Sequence, residues 1–127
     1  MFVFMTSKER LTSQKKIIID FLKSTKSHPT AESIYQAVKK KLPQISLSTV
    51  YRILNDLKEK GKIIEVFNKK GIHFDGDTSN HSHFFCSRCH KIYDIYDKFN
   101  LKPKNKIGQI KDYKIYFYGI CKKCLKK

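Results

Sequence analysis

Residues 30–60 read TAESIYQAVKKKLPQISLSTVYRILNDLKEK, and their periodicity decides the fold. Thr30 can accept a backbone N–H as an N-cap, with Pro29 just before it. Ile34, Ala37 and Val38 then share one face, and the lysines at 39–41 fall at the C-terminal end that favours cations, which predicts a helix over 30–41. A second stripe, Val50, Ile53, Leu54 and Leu57, predicts a helix over 48–60, capped by Ser46 or Ser48 and stopped by Gly61. Two capped helices joined by a short turn form a helix-turn-helix.

Working outward, residues 12–24 carry Ile17, Ile18, Phe21 and Leu22 at helical spacing, with Thr12 or Ser13 as the expected cap. Downstream, Ile63–Phe67 and Ile72–Asp75 are β-like runs flanking Asn68-Lys-Lys-Gly71, a hairpin pattern. Three helices followed by a hairpin is the order of a winged helix, with the third helix as the reading helix. Gly76–Asn80 is polar and hinge-like. Beyond it, His83–Phe85, Lys91–Tyr96 and Tyr113–Ile120 read as strands, while Lys98–Lys111 shows no period. The expected architecture is α+β: a winged-helix domain over 1–76, then a small α/β domain over 77–127.

A chain of 127 residues has little core to spare, and its second domain is small enough to need a metal or a partner. The net charge of +16 favours a polyanionic partner. Twenty-four of the 27 basic residues are lysine, however, as AT-rich coding would produce. The excess is also spread along the chain, with 12 basic against 5 acidic residues in 1–60 and 15 against 6 in 61–127. Charge therefore does not locate a binding face. The apolar start Met1–Met5 lacks a basic leader and the length of a signal core, and no apolar run approaches the ~18 residues of a membrane span. A cytoplasmic protein without membrane contact is the expectation.

In a reducing compartment, paired cysteines indicate metal before disulfide. All four cysteines fall in two pairs, Cys86-x-x-Cys89 and Cys121-x-x-Cys124, separated by 31 residues. Two such knuckles supply the four thiolates of a structural Zn²⁺. The competing redox reading needs one pair at a helix start and no second pair. His81 and His83 alternate in a strand-like segment, so both rings leave one face and can share an ion. Asp75 ends the hairpin and Asp94 lies in the next strand; taken alone, these and His28 read as ordinary turn or strand residues.

The ordered motifs Arg10-x-Thr12-x-Gln14-Lys15, His28-Pro-Thr-Ala-x-x-Ile-Tyr35, Ile45-Ser46-x-x-Thr49-Val-Tyr-Arg52-x-Leu54, His81-x-His83 and Gly119-x-Cys121-x-x-Cys124 resemble the ferric uptake regulator superfamily over nearly the whole length. The resemblance is strongest to its peroxide-sensing branch. It implies a homodimeric repressor on palindromic double-stranded DNA, with no catalytic activity. It further implies a regulatory Fe²⁺ or Mn²⁺ site of three histidines and two aspartates, matched here by His28, Asp75, His81, His83 and Asp94. Ser48, Thr49, Tyr51 and Arg52 become the reading face of the third helix, and Arg10, Gln14 and Lys15 become phosphate contacts. In the iron-sensing branch the acidic pair is more often Glu. Three departures stand out: His90 where the family usually has Gly, a stretch 97–112 shorter than the usual insert, and Arg52, common in iron-type regulators. An iron-responsive repressor is the alternative; a basic zinc-ribbon RNA-binding protein and a metallohydrolase are more remote ones.

Overall fold

The computed structural model describes residues 7–127; the apolar start Met1–Met5 lies outside the described residues. The chain divides into two compact units, one through Thr78 and one from Ser79. The boundary thus falls two residues beyond the one read from the sequence.

The first unit begins with α1 (Ser7–Ser24), α2 (Ala31–Val38) and α3 (Leu47–Glu59). Helix α1 starts five residues before the expected Thr12. That cap reading is corrected: the Thr12 hydroxyl donates back to the Lys8 carbonyl, 2.9 Å away, so Thr12 is an interior helix residue. Thr30 does cap α2, accepting the Ser33 N–H at 3.2 Å, and Ser46 rather than Ser48 caps α3 through the Thr49 N–H at 3.1 Å. Each cap contributes about 1 kcal/mol. Helix α2 ends at Val38, three residues short of the lysine run's end.

Ile18, Leu22, Ile34, Val38, Ile53 and Leu54 are fully buried where the three helices meet. Burial of one such side chain contributes ~1.5–3 kcal/mol, so this cluster outweighs both caps together. Strands β1 (Ile64–Asn68) and β2 (Gly71–Asp75) pair antiparallel from Ile64↔Asp75 to Asn68↔Gly71. Lys69 and Lys70 form the tip, closed by the Asn68 Oδ1, which accepts the Lys70 N–H at 2.7 Å, and by Gly71 at φ +125°. The first unit is a winged helix-turn-helix.

The second unit is a three-stranded sheet in the order β4-β3-β5, built from β3 (Ser82–Cys86), β4 (Ile92–Ile95) and β5 (Tyr116–Gly119). Strand β4 runs antiparallel and β5 parallel to β3. A short helix α4 (Lys122–Leu125) follows, unforeseen in the sequence. Residues 96–115, which return the chain to the far edge of the sheet, form no helix or strand. His90, the departure from the family's glycine, has φ +64°, in the left-handed region that glycine adopts without cost.

Candidate functional site

The four cysteines converge at one end of the sheet. The turn after β3 brings Cys86 and Cys89 beside Cys121 and Cys124 at the start of α4, with all four sulfurs within 4.8 Å of one another. Cys86 Sγ lies 3.7 Å from Cys124 Sγ, and Cys89 Sγ lies 3.7 Å from Cys121 Sγ. A tetrahedron of ~2.3 Å Zn–S bonds has edges of about 3.8 Å, so the spacing fits one zinc ion. Backbone N–H groups of Cys89 and Cys121 point at Cys86 Sγ from 3.5 and 3.4 Å. Burial works against ionising Cys86, but the N–H groups of Cys121, Cys89 and Arg88 overcome it and bring the thiol down to about 5. The Tyr93 hydroxyl likewise lowers Cys121. Cys124, donating to the Cys121 sulfur and buried, is pushed up to about 12. Four thiols this close cannot all ionise without a cation, and a divalent metal supplies that charge.

Two His/Asp groupings occur, one in each unit. In the winged helix, His28 Nε2 is 3.2 Å from Asp75 Oδ2, and both side chains are buried. Asp75 Oδ1 also accepts the Asp77 N–H at 2.9 Å. His28 has φ +51°, rare for a residue with a Cβ. In the sheet, the register His83↔Asp94 sets both histidines at one carboxylate: His81 Nε2 and His83 Nε2 lie 3.0 and 3.4 Å from Asp94 Oδ1. His81 Nδ1–H donates to the Ser79 carbonyl at 2.7 Å. That bond fixes the proton on Nδ1 and leaves Nε2 as the nitrogen facing Asp94, a common arrangement around ligating histidines. Neutral nitrogens with carboxylate oxygens suit Fe²⁺ or Mn²⁺.

The third helix presents Ser48, Tyr51 and Arg52 at its exposed surface, with Thr49 half-buried. Arg10, Gln14, Lys15, Thr49, Arg52 and Asp56 line a shallow cleft of about 510 Å³ between α1 and α3. Two contacts of α3 were not legible from the sequence, one in this cleft and one to α2. Lys15 Nζ is engaged by Asp56 Oδ2, which also takes Lys60 Nζ at 3.1 Å. Tyr51 donates its hydroxyl to Glu32 Oε1, lowering the Glu32 carboxyl and raising the phenol. His73 is a third residue missed: its Nδ1 lies 2.6 Å from the His28 carbonyl oxygen. Glu32, Asp56 and His73 carry no sequence signal, because their partners are set by tertiary register.

A winged helix joined to a four-thiol sheet unit, with His/Asp donors in both, defines a metal-binding DNA regulator. The chain belongs to the ferric uptake regulator family, whose model matches residues 6–120. It is 35% identical to the peroxide-responsive repressor PerR of Staphylococcus epidermidis over 122 residues, covering 91% of this chain and 81% of that one. To the peroxide operon regulator of Bacillus subtilis it is 33% identical over 124 residues, covering 93% and 86%. Among solved structures, the Campylobacter jejuni peroxide stress regulator matches with a TM-score of 0.74 at 29% identity, over 91% of each chain. The Helicobacter pylori ferric uptake regulator shares the fold, with a TM-score of 0.74 at 24% identity, over 96% of this chain and 83% of that one. Members of this family are transcriptional regulators, not enzymes, which removes the metallohydrolase alternative.

Proposed function

We propose that the chain is a metal-dependent repressor that binds palindromic operator DNA as a homodimer and responds to peroxide through a regulatory Fe²⁺ or Mn²⁺ site. The observation that carries the metal dependence is the convergence of His81 and His83 on Asp94. Its counterpart in the winged helix is the buried His28–Asp75 contact. Peroxide as the signal is supported by aspartate at both acidic positions and by relatives named peroxide-responsive.

In this reading His28, Asp75, His81, His83 and Asp94 together hold one ion. His28 and Asp75 belong to the winged helix and the other three to the zinc-bound sheet, so shared ligation restrains the Gly76–Asn80 hinge. In a dimer that restraint sets the separation of the two α3 helices. Palindrome recognition requires that separation to match about one helical turn of DNA, or a multiple. Held by these five side chains, iron would supply redox chemistry toward peroxide, and His28 and His81 are the imidazoles that would be exposed to oxidation. Loss of either ligand frees the hinge and lowers the population of the DNA-competent state.

Ser48, Thr49, Tyr51 and Arg52 read the operator, while Arg10, Gln14 and Lys15 face phosphates. Second-copy pairing is supported by the β5 edge strand with its exposed Phe117 and Tyr118. Among the described residues no helix is long and apolar enough to cross a membrane. Four structural thiols suit the reducing cytoplasm, where this reading places the protein.

The test is selection of operator fragments from genomic DNA by zinc-bound protein with and without Mn²⁺. Binding that requires Mn²⁺ and disappears in His83→Ala supports the reading; Mn²⁺-independent binding contradicts it. The iron-responsive alternative is favoured by one feature, Arg52, and predicts a repressor indifferent to peroxide.

A further inference from the structure

His73 belongs to neither proposed ligand set, yet both of its ring nitrogens meet an oxygen atom. It lies on β2, paired with Val66 of β1. Nδ1–H donates to the His28 carbonyl at 2.6 Å, and Nε2 faces Asn68 Oδ1 at 3.1 Å. That same Asn68 oxygen accepts the Lys70 N–H and closes the wing tip. One imidazole therefore spans from the tip of the wing to the backbone of His28. The neighbouring peptide is tied down as well, by the Phe74 N–H to the Pro29 carbonyl at 2.9 Å. Backbone at φ +51° is costly for a histidine and persists only where surrounding contacts hold it.

We propose that His73 is a positioning residue that holds His28 in its ligating conformation and couples metal occupancy to the order of the Lys69–Lys70 wing tip. This rests on the reading of His28 as a regulatory ligand. The physical content is reciprocal linkage: if an ion at His28 orders the wing, then phosphate held by the wing lysines raises affinity for the ion by the same factor. The coupling runs within the winged helix alone and is separate from any restraint on the hinge.

The test uses full-length zinc-bound protein and Mn²⁺ as the probe, with two readouts. One is the Mn²⁺ dissociation constant. The other is the rate of tryptic cleavage after Lys69 and Lys70, read by mass spectrometry, which reports local opening of the tip. In the wild type, Mn²⁺ should slow cleavage at the tip. His73→Phe keeps a ring but no polar atom; it should weaken Mn²⁺ binding on the order of ten- to a hundredfold, as loss of an outer-shell partner does. It should also abolish the Mn²⁺ effect on cleavage. His73→Asn places its amide nitrogen near the Nδ1 position, so it should retain most of the Mn²⁺ affinity while losing the response at the tip. A merely structural residue would not separate these two readouts. Wild-type affinity together with a wild-type wing response in His73→Phe overturns the proposal, as does a full wing response in His73→Asn. If His73→Phe does not fold, the Asn variant decides alone. Should His28→Ala leave Mn²⁺ binding unchanged, the regulatory-site reading itself fails, and the coupling fails with it.

Discussion

Asp56 sits in the α1–α3 cleft between Lys15 and Lys60, the only carboxylate among the described residues that line this surface, which is otherwise suited to phosphate. Hydrogen bonds from Lys15 first, and Lys60 second, hold its carboxyl below the ordinary value. A depressed acid contributes stability that is fully present above its unfolded value, about pH 4, and is lost as pH falls through the lower folded value. Asp56→Asn should therefore melt below wild type at pH 6, with the gap closing toward pH 2–3; thermal melts across that range check it. The same change frees Lys15, so DNA affinity should rise and its salt slope should steepen by about 1. Arg52 belongs to this scale too. It is exposed on α3, with a 3.5 Å contact to the Thr49 hydroxyl. Arg52→Ala should weaken operator binding by roughly 1–3 kcal/mol and relax specificity at one base pair. Equal loss on all sequences would make it a phosphate contact.

At the scale of elements, what was legible followed from local signals. Helices α2 and α3 declared themselves through Thr30 and Ser46 caps and an apolar stripe, and the wing through Asn68–Gly71. The start of α1 did not, because the hydroxyl of Thr12, which looks like a cap, instead bonds back inside the helix. Helix α4 escaped because its four residues, KKCL, carry no periodicity. The proposed metal ligands were partly legible: the alternation of His81 and His83 suggests a shared face, whereas their meeting with Asp94 depends on the β3–β4 register. Only the family resemblance proposes His28 and Asp75 as ligands. Gly76 was read as hinge-like, but the structure gives it a tighter role. A Cβ there would lie 2.7–2.9 Å from the backbone of Leu22 and Lys23 at the end of α1. Gly76→Ala should cost about 1–3 kcal/mol by forcing a backbone shift. Because Asp75 is adjacent, it should also weaken Mn²⁺ binding; denaturant melts and metal titration of one preparation test both effects.

At the scale of the whole molecule, the two units are held together by different means. The winged helix has a continuous helical core, but the sheet unit's cluster is largely Cys86, Cys121 and Cys124 with Phe84, Tyr93 and Ile120 around them. Structural zinc contributes on the order of 10 kcal/mol of folding free energy in small domains, more than the two buried side chains Phe85 and Ile92 supply at ~1.5–3 kcal/mol each. Cys121→Ser should accordingly release zinc and unfold the second unit while α1–α3 persist. Zinc content, far-UV circular dichroism and sedimentation would show this together, and a zinc-free variant that stays a folded dimer would refute it.

In the proposed mechanism, metal and peroxide act on one DNA-binding equilibrium. The most direct measurement is operator affinity of the Fe²⁺-loaded and Mn²⁺-loaded protein before and after a low dose of peroxide, with mass spectrometry of the peptides carrying His28 and His81. The account predicts that both loaded forms bind, and that only the iron form then loses the operator as oxygen appears on one of those histidines. An iron-loaded protein that keeps its operator through the peroxide dose, with both imidazoles intact, would contradict it.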